Sequence, residues 1–253
     1  MSPPTPGYTV LPLVYDRWQK MYGRDYSTLI LPRVLDTIDR CRIPRGAMLD
    51  LACGTGTLAF HMARRGWTVW GVDGSKGMLA AAEAKKLLLT RNVTFLRMDM
   101  RALRLPVQVE LATCLFDSLN HLPSAADLLK TFRAVAACLK HGGYFVFDLN
   151  NELCFRTLWT KTEAARHRDF TLILKNSYDP RRQVARSLVT LFLKEGPRYQ
   201  RFQETVCERF FSSAEVTGLL RRSGLIGLES SDFNFADDPT VGNLKTWWVA
   251  RKG

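Results

Sequence analysis

Apolar and polar positions alternate in two rhythms along this chain. Short apolar runs near 47–52, 68–72, 93–97, 109–115 and 143–149 have the length and bounds of buried strands. Between them, 57–65, 76–90 and 124–140 read as helices. Strands that alternate with helices predict a parallel, doubly wound sheet with helices on both faces. Gly142-Gly143, after Lys140-His141, predicts the stop of the third helix. Upstream, Tyr8 to Arg42 reads as helical. Tyr15, Trp18, Met21 and Tyr22 recur at helical spacing, and so do Leu31, Val34, Leu35 and Ile38. Pro32 belongs in a first turn or marks a kink. Pro44-Arg45-Gly46 breaks the chain before the first strand.

The rhythm changes over 151–207. Segments 170–174, 183–193 and 199–210 look like strands, and Asp179-Pro180-Arg181-Arg182 and Glu195-Gly196-Pro197 supply the turns. This predicts an antiparallel insertion. Ser212-Ser213-Ala214-Glu215 has the form of a capping box that opens an amphipathic helix to Arg222, stopped by Ser223-Gly224. Strands near 225–230 and 245–251 finish the chain, and Trp247-Trp248 in the last one reads as core. The expected fold is α/β. It has a mostly parallel seven-stranded sheet with helices on both faces, an antiparallel β insertion and N-terminal helices.

Candidate chemistry sits where the first strand ends, in Met48-Leu49-Asp50-Leu51-Ala52-Cys53-Gly54-Thr55-Gly56-Thr57-Leu58. Gly54 and Gly56 allow a tight turn and a close approach by a ligand. The next two strands also end in acids, Asp73 and Asp99. Three carboxylates therefore stand at the carboxyl edge, where parallel α/β sheets bind ligands. A phosphate site does not fit. After Gly56 comes Ala59, with no glycine before Gly66, and the chain has no Gly-Lys-Ser/Thr. Asp50 would also repel a pyrophosphate. A cationic ligand that carries a ribose fits better.

The segment resembles the class I S-adenosylmethionine-dependent methyltransferases, whose loop here reads Asp/Glu-x-Gly-x-Gly-x-Gly; Ala52 replaces the first glycine. The resemblance covers 46–150 well and 208–251 loosely. It implies that Asp50 lies near the methionine ammonium. Ala52, Gly54 and Gly56 then form the loop beneath methionine and ribose. It further implies that Asp73, followed by Gly74, takes the ribose hydroxyls. Asp99 would accept from the adenine amine, the Met100 N–H would face a ring nitrogen, and Met78 would pack on the adenine. The organisation implied is a tail and helical cover at 1–42, a cofactor-binding core at 43–150, an insertion covering the substrate at 151–207, and the rest of the core at 208–253.

Methyl transfer from a sulfonium needs alignment and exclusion of water more than acid–base help. After the fourth strand comes Cys114-Leu115-Phe116-Asp117-Ser118-Leu119-Asn120-His121-Leu122. This is not the Asn/Asp-Pro-Pro-Tyr/Phe of DNA amino methyltransferases, and the chain has no Pro-Cys pair for a cytosine C5 enzyme. His121 is the candidate base, or a capping histidine. Asn120 orients an acceptor or caps the turn. Phe116 lines the cofactor. Asp148 and Asn150 contact substrate or cap the turn at Asn151. Tyr15, Trp18 and Tyr22 form a lid or pack in the core.

Composition adds limits. With 253 residues and 46% hydrophobic content, the chain suits one large domain or a domain with an insertion. No apolar run approaches a bilayer span, and the first seven residues lack the form of a signal peptide. Six cysteines form no Cys-x-x-Cys, and four histidines show no ligand-like spacing. A cytoplasmic protein without a metal is the expectation. The net charge is +12, and residues 156–201 hold eleven Lys/Arg against four Asp/Glu. That patch, with Arg181, Arg182 and Arg186, serves an anionic substrate, RNA, or only a solvated face. The first reading is methyl transfer to N or O of a small molecule. An RNA methyltransferase and a non-catalytic cofactor-binding module stand as alternatives.

Overall fold

The computed structural model describes residues 8–21, 25–89, 92–234 and 242–253. Tyr22 and the tail 1–7 lie outside the described residues. Five strands run parallel: β1 (Ala47–Leu51), β2 (Thr68–Asp73), β3 (Val93–Arg97), β4 (Val109–Cys114) and β5 (Leu139–Asn150). A separate antiparallel sheet holds β6 (Thr162–His167), β7 (Phe170–Asp179), β8 (Val184–Glu195) and β9 (Arg198–Arg209). β10 (Leu225–Phe233) and β11 (Lys245–Lys252) return to the first sheet, where β11 is antiparallel to β5 and to β10. The seven-stranded order is β10-β11-β5-β4-β1-β2-β3.

Helices α1 (Tyr15–Lys20), α2 (Tyr26–Arg40), α3 (Thr57–Ala63), α4 (Lys76–Leu89), α5 (Ala125–Cys138), α6 (Glu152–Thr157) and α7 (Ser213–Arg222) complete the chain. Side-chain alternation along β1 shows why two layers form. Met48 joins a core with Ile30 and Val34 of α2 and Phe60 of α3. Leu49 and Leu51 join a core with Phe132 of α5 and Leu219 of α7 on the other face. Three helices start as their sequences demand. The side chains of Asp25, Ser124 and Ser212 each accept the backbone N–H three residues on.

Three expectations change. The N-terminal helices are a 3₁₀ turn at Leu11–Leu13, α1 and α2, and Pro32 lies inside α2 and not in its first turn, because the Asp25 cap starts that helix well upstream. The glycine pair does not stop a helix, because α5 already ends at Cys138 and Gly142-Gly143 lie within β5. A Cβ on Gly143 would stand 2.9 Å from the Lys140 carbonyl and 3.2 Å from two β4 carbonyls, so the pair serves close strand approach. The polar segments α6 and β6 carried no periodic signal and were not expected.

The second sheet positions the site. Its inner face, with Phe170, Leu172, Val189, Leu191 and Val206, packs against Val10, Leu11 and Val14 of the N-terminal segment. The two form one apolar unit above the carboxyl edge of the main sheet. Among the described residues, no helix is long and apolar enough to cross a membrane.

Candidate active site

A cavity of about 1210 Å³ opens at the carboxyl ends of β1–β4. Asp50, Ala52, Gly54, Asp73, Gly74, Met78, Asp99 and Met100 all line it. Asp50 is buried, and its Oδ1 accepts from Thr113 Oγ1 at 3.0 Å, while Oδ2 has no partner at hydrogen-bond geometry among the described residues. Burial pushes its carboxyl up to about 7. Ala52 takes φ 56, the left-handed conformation a glycine would adopt there, at a cost of about 1–2 kcal/mol. The Gly54 N–H donates to Asp73 Oδ2 at 2.8 Å, and the Ser75 N–H donates to Asp73 Oδ1 at 2.7 Å. Burial raises the Asp73 carboxyl, and these N–H bonds partly offset the rise. Asp99 is different: Arg101 grips it at 2.6 Å and holds its carboxyl below the usual range.

The other end of the cavity is lined by Tyr8, Tyr15, Tyr26, Phe116, His121 and Cys207. His121 Nδ1 lies 3.1 Å from the Cys207 carbonyl. A carbonyl only accepts, so Nδ1 carries the proton and Nε2 offers its lone pair. Tyr8 Oη, 3.0 Å from Nε2, donates to it. Burial lowers the His121 imidazole below its ordinary value, which keeps it neutral. Glu208 Oε1 stands 3.9 Å from Nε2. Burial and the nearby Asp117 push the Glu208 carboxyl well up.

Asp117, His121 and Glu208 bring ligand-type atoms within 4.8 Å of one another, a grouping drawn from separate segments that their spacing could not show. The cation at this place is Lys245, whose Nζ is 2.5 Å from Asp117 Oδ1.

The cover is fastened by polar contacts. Glu204 of β9 accepts from Thr9 N at 2.7 Å, Thr9 Oγ1 at 2.9 Å, Val10 N at 3.1 Å and Leu11 N at 3.0 Å. Ser75 Oγ donates to the Tyr8 carbonyl at 2.8 Å. Thr55 Oγ1 in the glycine loop donates to Asp16 of α1 at 2.5 Å, and Lys85 of α4 pairs with the same carboxylate at 2.8 Å.

Several expected site residues stand elsewhere. Gly56 does not line the cavity; at φ 78 it caps α3, and a Cβ there would meet the Phe95 ring at 2.7 Å. Trp18 packs at the edge of the cluster between cover and second sheet. Asn120 is fully buried and braces the turn, with Nδ2 donating to the Arg209 carbonyl at 2.8 Å and Oδ1 accepting from Asn150 N at 2.9 Å.

Asn150 donates to Glu208 at 2.9 Å and accepts from Lys245 at 2.9 Å. Asp148 is fully buried and neither faces the cavity nor caps Asn151. It accepts from Phe116 N at 2.8 Å, Asp117 N at 2.7 Å and Tyr26 Oη at 2.7 Å. Those bonds hold Phe116 and Asp117 at φ 59 and φ 52, which strains two successive side-chain-bearing residues.

Tyr8, Glu204, Glu208 and Lys245 were not anticipated. A signal existed for two of them. Glu208 falls on the buried face of its strand, and Lys245 stands two residues before the apolar run Trp247–Ala250 of β11.

S-adenosylmethionine fits this cavity on two counts. The buried Asp50 Oδ2, without a partner at hydrogen-bond geometry among the described residues, suits a cationic ammonium. A Cβ built on Gly54 meets nothing within 4 Å, so the loop borders open space that a ligand can fill. The comparisons agree. Residues 48–143 match the family model described as a methyltransferase domain. YqeM of Bacillus subtilis, itself named as a methyltransferase, is 29% identical over 243 residues, 95% of this chain and 98% of that protein.

Among solved structures, an S-adenosylmethionine-dependent methyltransferase from Clostridium acetobutylicum is similar with a TM-score of 0.79 at 24% identity, covering 94% of this chain and 99% of its own. CalS10, an amino pentose methyltransferase from Micromonospora echinaspora, is similar at 0.73 and 20% identity, covering 95% and 97%. A carboxylate-rimmed glycine loop at this sheet edge and a matching domain at the same residues lead to one conclusion: residues 48–143 carry a methyltransferase domain, set in the class I, Rossmann-like fold of the S-adenosylmethionine-dependent methyltransferases.

Proposed function

We propose that the acceptor is a small molecule methylated at N or O. The roof over the cavity carries this reading. Tyr8, Thr9 and Tyr15 from the N-terminal segment and Thr205, Val206 and Cys207 from β9 close over the sheet edge, and Glu204 clamps the two together. A cavity of about 1210 Å³ has room for the cofactor and a modest second molecule. A nucleic-acid strand needs an open groove. Residues 8–42 and 151–207 act in this reading as the substrate cover. Similarity to an amino pentose methyltransferase points the same way.

The basic insertion does not serve the acceptor. Its Arg and Lys side chains line no part of the cavity, and Arg181 and Arg182 stand on the exposed β7–β8 turn. A solvated face accounts for the excess charge.

When bound, S-adenosylmethionine supplies a methyl group on a positively charged sulfur. This chain's residues do the rest. Asp50, Asp73 and the Gly54 loop hold the cofactor's polar groups. Phe116 and Tyr26, stacked with centroids 4.5 Å apart, exclude water beside them. His121 Nε2 is the base that takes the acceptor's proton, with Tyr8 as the hydroxyl that hands it over, and Glu208 stands beside the imidazolium that results.

The test is methyl transfer from labelled cofactor to fractionated metabolites, RNA and DNA in parallel. Label in a small-molecule fraction is expected. Label in RNA alone, lost when Arg181, Arg182 and Arg186 are neutralised, overturns the reading.

A further inference from the structure

We propose that Lys245 is a positioning residue for methyl transfer, acting through Asp148 and Asp117 on the Phe116 loop; the inference rests on the site reading above. Lys245 opens β11, opposite Asn150 of β5 and two residues before the Trp247–Asp148 pair. Its side chain is 2% exposed and lies outside the cavity lining, so it touches neither cofactor nor acceptor. The Nζ is 2.5 Å from Asp117 Oδ1, 2.9 Å from Asn150 Oδ1 and 3.3 Å from Asp148 Oδ1. An ammonium has three N–H groups, and it faces three acceptors here among the described residues. The same nitrogen lies 5.4 Å from the Tyr26 ring centre and 5.5 Å from that of Phe116.

The loop needs this arrangement. Phe116 and Asp117 both sit in the left-handed region, and both N–H groups converge on the Asp148 carboxylate. Asp117 carries a second carboxylate to the same ammonium. Two carboxylates that share one ammonium this far from bulk water repel each other once it is removed. If the ammonium goes, that repulsion drives the pair apart, and the anchor of the strained pair weakens. Two functional groups hang on that anchor. The Phe116 ring lines the cavity, and the 3₁₀ turn Ser118–His121 starts from Asp117 and ends on His121. A lysine whose only task is to neutralise buried charge would lower stability but leave the loop's contribution to cofactor affinity intact.

A double-mutant cycle on S-adenosylhomocysteine affinity separates the two roles. Lys245→Met and Phe116→Ala are each expected to weaken binding about tenfold. The double variant is expected to bind no more than twofold weaker than Phe116→Ala alone. In the otherwise wild-type protein, 4-fluorophenylalanine at position 116 should give one sharp fluorine resonance, and Lys245→Met should broaden or split it. A product of the two single effects, or a resonance that does not move, overturns the proposal. If Lys245→Met does not fold, the same cycle is run with Asp148→Asn and the same outcome is required. A chain that folds with neither substitution makes the pair a requirement of the fold and also overturns it. Asp73→Ala is the control. If it leaves affinity unchanged, the site reading fails. If it weakens binding while the cycle is multiplicative, only the role of Lys245 falls.

Discussion

Tyr8 Oη stands 3.0 Å from Nε2 of His121, across 113 positions of chain. The contact ties the N-terminal cover to the turn after β4, while the Cys207 carbonyl at Nδ1 fixes the tautomer of the imidazole. His121→Asn should lower kcat by about 10²-fold or more while cofactor affinity stays within about threefold, the range of a lost general base. Tyr8→Phe should fall in the same direction by less. Steady-state rates with the identified acceptor, beside calorimetric titration of S-adenosylhomocysteine, provide the check. Because burial lowers the imidazole, the acid limb of kcat/KM should lie below the ordinary histidine value. A full rate in His121→Asn would remove it from the chemistry.

Asp73→Ala should weaken S-adenosylmethionine by about 10²-fold. It loses a charged acceptor for ribose, about 1.5–3 kcal/mol per bond, and it frees the Gly54 and Ser75 N–H groups that shape the loop. Asp99→Ala should cost far less, since that carboxylate is 47% exposed and already gripped by Arg101. Equal effects would contradict the assigned division of labour.

The two loop glycines should part company. Gly54→Ala adds a methyl toward open space at φ 54, so the fold should lose about 1–2 kcal/mol while cofactor affinity collapses. Gly56→Ala forces a Cβ to 2.7 Å from the Phe95 ring and should lose about 1–3 kcal/mol of stability. Thermal melts and binding titrations on both variants decide the matter.

Asp50 makes binding depend on pH with a definite sign. Its carboxyl is raised to about 7 in the free protein and is neutral below that. A bound ammonium favours the charged form and lowers the value, so binding releases a proton. Affinity should therefore rise with pH up to about 7 and level off above it. Taken alone, folding stability runs the other way: the raised carboxyl contributes stability fully present below the ordinary aspartate range and lost as pH climbs toward 7. Titrations in buffers of different ionisation heat will count the proton. An Asp50→Asn protein that keeps the same pH dependence rules Asp50 out as its source.

Much of this protein is written locally. The strands of the main sheet, the two-glycine loop and the acids Asp50, Asp73 and Asp99 lie within or just after short apolar runs. Backbone propensity and hydrophobic period act over a few residues, so such features are legible one segment at a time. The family, the cofactor and the carboxyl-edge location followed from them.

What tertiary structure decided is which side chains face the cavity and which hold its walls. Asp148 ends an apolar strand much as the cofactor acids do, yet it is buried beneath Phe116 and Asp117, because β11 brings Lys245 alongside. Gly56 looks equivalent to Gly54 in sequence, and the rings of Phe95 from β3 and Phe60 from α3 make it a packing glycine. The contacts of Tyr8 with His121 and of Glu204 with the cover join segments 113 and more positions apart. Such pairings come from chain topology and the burial of a common apolar face, which no local period encodes.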